Sequence, residues 1–197
     1  MQGLVFTDSG RLIGARDALY EINTETGKAT YIRKIDQSSL RGLEFKTIIT
    51  PNAISISGTR KQDVLAGQRS DDLLIGLGSN DKLLGRAGND TLYGGGGKDH
   101  IKGGSGDDVL GGGQGRDILT GNRGRDIFVL AVGQGQDTIS DFKDGVDSLG
   151  LDDRLSFGDI DIIGRSGNTL IRYNNRTLAT LTNVNASAIS VEDFTFL

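Results

Sequence analysis

A nine-residue repeat in the middle of the chain constrains the fold more than any other feature. Counted from Gly58, eight uninterrupted units run to Val129. Every unit has glycine at position one, aspartate at position six and an apolar residue at position eight. A short period sustained over many units is typical of a solenoid, in which each unit packs against its neighbours. The sequence therefore predicts an all-β stack of short strands and tight turns.

The period also predicts how the units are arranged. Each unit reads as a six-residue turn and a three-residue strand, so two units form a coil of eighteen residues. Alternate side chains of a strand face opposite ways, so position eight points inward while positions seven and nine point outward. Odd-numbered turns then share one edge of the stack and even-numbered turns the other. This predicts two opposite columns of aspartates: Asp63, Asp81, Asp99 and Asp117, and Asp72, Asp90, Asp108 and Asp126.

Carboxylates stacked in this way require a cation. Strands in successive coils lie about 4.7–4.9 Å apart, and unit charges at that distance repel by roughly 0.9 kcal/mol even in water. Asp carboxylates and backbone carbonyls are oxygen ligands, which suit a hard divalent cation. Ordering nine residues costs about 9–18 kcal/mol and burying one Leu returns only about 1.5–3 kcal/mol, so metal binding would supply folding free energy. The alternative is a metal-free solenoid whose aspartates cap its turns.

The repeat resembles the repeats-in-toxin (RTX) consensus G-G-x-G-x-D-x-U-x, in which U is apolar. The resemblance implies a right-handed parallel β-roll that binds several calcium ions, with antiparallel β capping segments at both ends. Calcium fits the stacked carboxylates, because it accepts about six to eight oxygens from Asp carboxylates and backbone carbonyls, whereas magnesium demands octahedral geometry. The carboxylate ligands that it implies are Asp63, Asp72, Asp81, Asp90, Asp99, Asp108, Asp117, Asp126, Asp137, Asp141 and Asp144. The turn residues expected to contribute backbone carbonyls are Gly85, Ala87, Gly88, Gly94, Gly96, Gly97, Gly103, Ser105, Gly106, Gly112, Gln114, Gly115, Gly121, Arg123 and Gly124.

The first three units depart from the consensus. They lack glycine at position four and carry Thr59, Gln68 and Leu77 at position two, so we expect residues 58–84 to coordinate calcium less well. The strongest sites are expected to use Asp90, Asp99, Asp108, Asp117 and Asp126. Residues 58–129 also contain ten Asp and ten Lys plus Arg, and this balance predicts a milder calcium dependence than is usual for RTX proteins.

The segment after the repeat is predicted to close the roll. Residues 132–140 read as a ninth, degenerate turn that contains Asp137, and the following DFKDGVD resembles the closing segment of serralysin-type and cyanobacterial RTX proteins. The resemblance implies a further ion site at Asp141, Asp144 and Asp147; the alternative is that they are turn residues around Gly145. Residues 150–197 alternate as antiparallel strands that would form a cap. Residues 192–197 resemble the C-terminal signal of type I secretion substrates, and an edge strand is the other interpretation.

Residues 1–57 carry no RTX unit. The stretches LVFTDSGRLIGA and ALYEINTETGKATYIRKI predict strands joined by turns, including Thr26–Gly27–Lys28, and residues 38–45 predict a short helix or a loop. Part of this region resembles one blade of a β-propeller-like repeat. We expect an N-terminal cap, or else the remnant of a longer protein. The predicted organisation is thus 1–57, 58–149 and 150–197.

The inventory of reactive residues argues against an enzyme. The chain has no Cys and a single histidine, His100, at an outward strand position, so Cys/His and Ser/His/Asp nucleophile systems lack their parts. A net charge of −4 gives no reason to expect nucleic acid, and no apolar run is long enough to span a membrane.

The predicted function follows from the RTX resemblance. We expect an extracellular module that folds on binding calcium outside the cell and is exported by a type I secretion machinery. The alternatives are a structural surface or adhesive component, with surface retention or self-association, and a C-terminal fragment of a larger secreted enzyme.

Overall fold

A computed structural model describes residues 5–6, 12–13, 18–22, 29–34, 53–152 and 154–196. The chain forms two compact units, residues 1–50 and residues 51–197. In the described ranges, no helix is both long and apolar enough to cross a membrane.

The described residues of the first unit form two antiparallel strand pairs. Strand β1 (Val5–Phe6) pairs with β2 (Leu12–Ile13), and β3 (Ala18–Ile22) pairs with β4 (Ala29–Lys34). Strands are therefore present in both stretches for which the sequence predicts them. Thr26–Gly27–Lys28 and residues 38–45, predicted as a turn and as a helix or loop, lie outside the described residues.

The second unit is a β-solenoid, and its strands alternate between two sheets. The first sheet contains β5 (Ser55–Ser57), β7 (Leu73–Gly78), β9 (Thr91–Gly97), β11 (Val109–Gly115), β13 (Ile127–Leu130), β15 (Ser148–Leu151) and β19 (Phe194–Phe196). The second contains β6 (Val64–Ala66), β8 (Lys82–Ala87), β10 (His100–Ser105), β12 (Ile118–Arg123), β14 (Asp137–Ile139), β18 (Arg176–Leu181), β17 (Asn168–Tyr173) and β16 (Ile160–Arg165). Within the repeat, partners are parallel and eighteen residues apart, as in Leu83↔Ile101 and Leu92↔Leu110. The predicted coil of two units is confirmed.

Most strands of the repeat are longer than the three residues that the sequence predicts. Strands β7 to β12 contain six or seven residues, because the ladder continues from the apolar position through the glycines of the next unit. In β9 and β11, for example, Gly95 pairs with Gly113 and Gly97 with Gly115. The glycine-rich turns are thus hydrogen-bonded from coil to coil.

Within the repeat, the core is a stack of the side chains at position eight, and the same cluster continues into the C-terminal region with residues such as Ile139 and Leu149. All side chains at position eight are at most 9% exposed, from Leu65 at the start of the stack to Phe128, whose ring centroid lies 6.2 Å from that of Phe142. Each fully buried side chain of this kind stabilises the fold by about 1.5–3 kcal/mol. Position seven faces outward, with Val64 70% exposed and His100 exposed as predicted.

The C-terminal region extends both sheets and then changes their direction. Strand β18 pairs with β14 in parallel. Strand β17 lies between β16 and β18 and pairs antiparallel with each of them. The antiparallel strands predicted within residues 150–197 are confirmed. The last strand, β19, pairs in parallel with β15 and lies at the edge of its sheet.

Candidate metal centre

The structure stacks the position-six aspartates in the two columns that the sequence predicts. In each column the Oδ1 atom of an aspartate accepts a hydrogen bond from the backbone N–H of the aspartate one coil earlier. In the odd column, Asp63 donates to Asp81 at 2.8 Å, Asp81 to Asp99 at 2.7 Å and Asp99 to Asp117 at 2.8 Å. In the even column, Asp72 donates to Asp90 and Asp90 to Asp108 at 2.8 Å, and Asp108 donates to Asp126 at 3.1 Å.

Both columns continue past the repeat by one level. Asp117 donates its N–H to Asp137 at 3.2 Å, and Asp126 donates its N–H to Asp147 at 3.1 Å. The degenerate ninth turn therefore supplies the last carboxylate of the odd column, and the closing segment supplies that of the even column.

The second oxygen of each carboxylate divides the corners into two kinds. In the first two units, Oδ2 accepts the backbone N–H of the residue at position two: Thr59 donates to Asp63 at 2.6 Å, and Gln68 donates to Asp72. We call these closed corners. In units three to eight, which we call open corners, the Oδ2 atom is buried and has no hydrogen-bond partner; the six residues are Asp81, Asp90, Asp99, Asp108, Asp117 and Asp126.

The backbone differs between the two kinds of corner in the same way. Positions two and four of every open corner adopt positive φ angles, and they include the non-glycine residues Leu77 (79°), Ser79 (82°), Arg86 (85°) and Asn122 (73°). No such angle occurs in the closed corners. Positive φ at position two thus occurs in the same corners in which Oδ2 lacks the N–H donor from that position.

The recurrence of glycine at positions one and four of the repeat unit has a steric cause. A Cβ atom at position one would lie 2.1–2.8 Å from the Oδ2 atom of the aspartate in the same unit. At position four it would meet the carbonyl oxygen one coil earlier, at 2.1 Å for Gly106 over Gly88 and 2.0 Å for Gly124 over Gly106. Glycine therefore allows carboxylates and carbonyls to converge at the corners.

Burial raises the pKa of the aspartates in the columns. Desolvation is the largest cause, and it raises the pKa of Asp90, Asp99 and Asp126 to about 6 and that of Asp108 to about 7. Neighbouring carboxylates of the same column raise the pKa of Asp90, Asp99 and Asp108 further. Desolvation thus outweighs the opposing effects of nearby positive charges, those of His100 on Asp99 and of Lys143 on Asp126.

The donor set fits calcium. Among the described residues, no three Asp, Glu, His or Cys side chains form a group that could hold a metal ion, so backbone carbonyls would have to complete any such site. A mixture of carboxylate and carbonyl oxygens suits calcium. The carbonyls of Ser105 and Arg123 each accept one N–H, from Gly88 and Gly106, and each keeps a second lone pair. The partnerless Oδ2 atoms supply the unsatisfied acceptors that such an ion needs.

The closing segment places Asp141 and Asp147 near the corner of unit eight and Asp144 away from it. Asp147 joins the even column, whereas Asp141 accepts the N–H groups of Gly121 at 2.9 Å and Asn122 at 2.8 Å. Asp144 is exposed and lies beside Asp193, outside both columns. The structure therefore does not bring the three together.

A second ladder at position five was not predicted. On the even edge, Asp71 accepts the N–H of Asn89 at 2.6 Å, Asn89 that of Asp107 at 2.8 Å and Asp107 that of Arg125 at 2.8 Å. The signal in the sequence is an Asp or Asn at this position every eighteen residues.

The nonapeptide units match a known family of repeats. The family model of the RTX calcium-binding nonapeptide repeat matches four times, at residues 57–92, 76–110, 93–128 and 103–139. No curated protein matches the chain.

Solved structures that resemble the chain include two subunits, AlgE6R3 and AlgE6R2, of the Azotobacter vinelandii mannuronan C5-epimerase. AlgE6R3 has 25% identity and a TM-score of 0.43, over 70% of this chain and 80% of that one. AlgE6R2 has 23% identity and a TM-score of 0.31, over 75% and 94%. The extracellular lipase LipA of Serratia marcescens has 15% identity and a TM-score of 0.35, over 76% and 40%.

Proposed function

We propose, from the premise that residues 57–139 of this chain are RTX calcium-binding nonapeptide repeats, that the open corners bind several calcium ions and that this binding orders the roll. The observation that carries the proposal is the set of six buried Oδ2 atoms without a partner. A buried carboxylate oxygen with no partner is costly, and a calcium ion between coils would remove that cost.

Each proposed site combines two levels of one column. Aspartates of successive coils would contribute carboxylate oxygens, and the carbonyls at positions one, three and four would contribute the rest. Within the repeat, the proposed ligands are those that the sequence predicts, and Asp81 joins the strongest sites because it lies in an open corner. The proposal gives Asp63 and Asp72 a smaller part, since Oδ2 of Asp63 and both carboxylate oxygens of Asp72 already accept hydrogen bonds.

Calcium binding would couple folding to export. We propose that the roll is loose in the calcium-poor cytosol and folds on meeting calcium outside the cell, after passage through a type I secretion machinery. The C-terminal strand supports this coupling. Because β19 is hydrogen-bonded to β15 in the folded roll, a signal at residues 192–197 would be fully accessible only before folding.

The direct test is circular dichroism and thermal melting of the full chain in calcium, in magnesium and in chelator. We expect more ordered β structure and a higher melting temperature in calcium than in magnesium or chelator. With each ion at about 100 times its dissociation constant, every bound ion stabilises by about 2.7 kcal/mol. Identical spectra and melting temperatures in calcium and chelator would refute the proposal.

A structural role at a surface is the second candidate. The roll exposes apolar side chains at the outward positions, among them Val64, Leu73, Tyr93 and Ile118. Such side chains favour association with another surface. Calcium-dependent self-association, measured by light scattering coupled to gel filtration, would support this role, and a monomer at all concentrations would oppose it.

A further inference from the structure

Lys143 connects the last two levels of the even column. Its Nζ atom donates a hydrogen bond to the backbone carbonyl of Asn122, at position two of unit eight. Its backbone N–H donates to Oδ2 of Asp147 at 2.9 Å, and Oδ1 of Asp147 accepts the N–H of Asp126 at 3.1 Å. One residue thus contacts both the corner of unit eight and the carboxylate that follows it.

The surroundings of this ammonium group are acidic. Asp126 and Asp147 are buried, and the positive charge of Lys143 lowers the pKa of both carboxylates against the larger, opposite effect of desolvation. Asp141 binds the N–H groups of Gly121 and Asn122 in the same corner. The ammonium group therefore lies where carboxylates and a carbonyl converge.

The end of the odd column provides a contrast within the molecule. There Asp117 and Asp137 face each other as carboxyl groups, and burial followed by the charge of Asp117 raises the pKa of Asp137 to about 7. At this level, the Oδ1 atoms of Asp117 and Asp137 accept the backbone N–H groups of Asp99 and Asp117, respectively. The two columns thus end differently, with Lys143 at the end of the even one.

The geometry points to Lys143 as a tethered cation that takes the place of calcium at the last level of the even column. This inference rests on the proposed function, since it assumes that the other open levels bind calcium. The level between Asp126 and Asp147 then binds no ion and stays closed without metal, whereas the level between Asp117 and Asp137 requires one. The closing segment 141–147 accordingly holds its position before the roll is loaded.

The test counts calcium ions on the full chain by native mass spectrometry and measures melting in chelator. We expect Lys143→Met to bind one more calcium than the unmodified chain and to melt at a lower temperature in chelator, with the loss recovered in saturating calcium. Lys143→Arg keeps the charge and is expected to keep the original count. Lys143→Gln, which keeps a donor but no charge, serves as a second neutral variant if Lys143→Met does not fold.

The outcomes separate this inference from the proposed function. If the unmodified chain binds calcium and both neutral variants bind the same number of ions, the inference is wrong and the proposed function stands. If the unmodified chain binds no calcium, the proposed function fails first. An extra ion on Lys143→Arg would also overturn the role of the charge.

Discussion

The first two corners of the roll and the six that follow share glycine at position one and aspartate at position six, yet their carboxylates differ. In the closed corners, the N–H of Thr59 or Gln68 satisfies the Oδ2 atom. In the open corners, position two has turned to positive φ and the Oδ2 atom is buried without a partner. The same motif can therefore form either a self-satisfied turn or half of a cation site.

The difference follows from how far each strand extends. Strands β5 and β6 end at Ser57 and Ala66, before the corners of units one and two begin. Strand β7 continues through the corner of unit three, where Leu77 pairs with Gly95 of the next coil. Pairing with the neighbouring coil thus imposes the open conformation even where the sequence has leucine instead of glycine.

The largest effect is expected from a side chain at position four of an open corner. Gly106→Ala places a Cβ atom 2.1 Å from the carbonyl oxygen of Gly88, at a φ of 126°. We expect a loss of about 3 kcal/mol in the free energy of unfolding in calcium, measured by urea denaturation. The matched change in a closed corner, Ser70→Ala, is expected to cost less than about 1 kcal/mol. Equal losses would show that the two kinds of corner are not distinct.

Neutralising one aspartate should have opposite effects with and without calcium. Asp108→Asn removes a desolvated charge, so we expect the chain to be more stable in chelator but to bind calcium at least about tenfold more weakly, a loss of about 1.4 kcal/mol. Asp72→Asn places an amide donor opposite the N–H of Gln68 in a closed corner, and it should destabilise the chain in both conditions by about 1 kcal/mol. Calorimetric calcium titration and melting curves measure both effects. If Asp72→Asn weakened calcium binding and Asp108→Asn did not, the assignment of calcium to the open corners would be wrong.

The stability of the metal-free chain should fall as pH rises. The folded chain holds protons on its open aspartates more tightly than the unfolded chain, because burial raises their pKa from 3.8 to about 6 in Asp90 and about 7 in Asp108. The stability that this proton binding provides is complete below pH 3.8 and is lost as pH rises through about 6 to 7. Melting in chelator between pH 4 and pH 8 should show a decrease on the order of 1 kcal/mol. Calcium should remove this dependence at the upper end of the range.

The smallest effect concerns the strained residue at position two of unit three. Leu77 has a φ of 79° and is 49% exposed, so Leu77→Gly should relieve backbone strain and stabilise the calcium-loaded chain by up to about 1 kcal/mol. Thr59→Gly in a closed corner should instead destabilise, because it removes the 2.9 Å hydrogen bond from Thr59 Oγ1 to Asp63. Thermal melting measures both changes. If both substitutions stabilised the chain, position two would not differ between open and closed corners in the way described.

Much of the roll could be predicted from the sequence because a strict period leaves few arrangements. The two columns, the inward stack from Leu65 to Phe128 and the antiparallel strands of the cap all follow from period and alternation. The boundary between closed and open corners could not be predicted. The residues of unit three, Leu77 and Ser79, do not favour positive φ, and only the ladder to the next coil places them there.

The closing segment shows the same limit. From their spacing, Asp141, Asp144 and Asp147 form one group. In the fold, Asp141 accepts a backbone N–H of unit eight, Asp147 joins the even column and Asp144 is exposed. The contact of Lys143 with Asn122 joins residues 21 apart and carries no signal in the repeat.

The sequence by itself determined the period, the phase of glycine and aspartate and the apolar stack, because these depend on local geometry repeated eight times. Only the tertiary structure decided which carboxylate oxygens stay without a partner and where a lysine approaches them. Those outcomes depend on contacts between coils, and a residue's own neighbours in the chain do not specify such contacts.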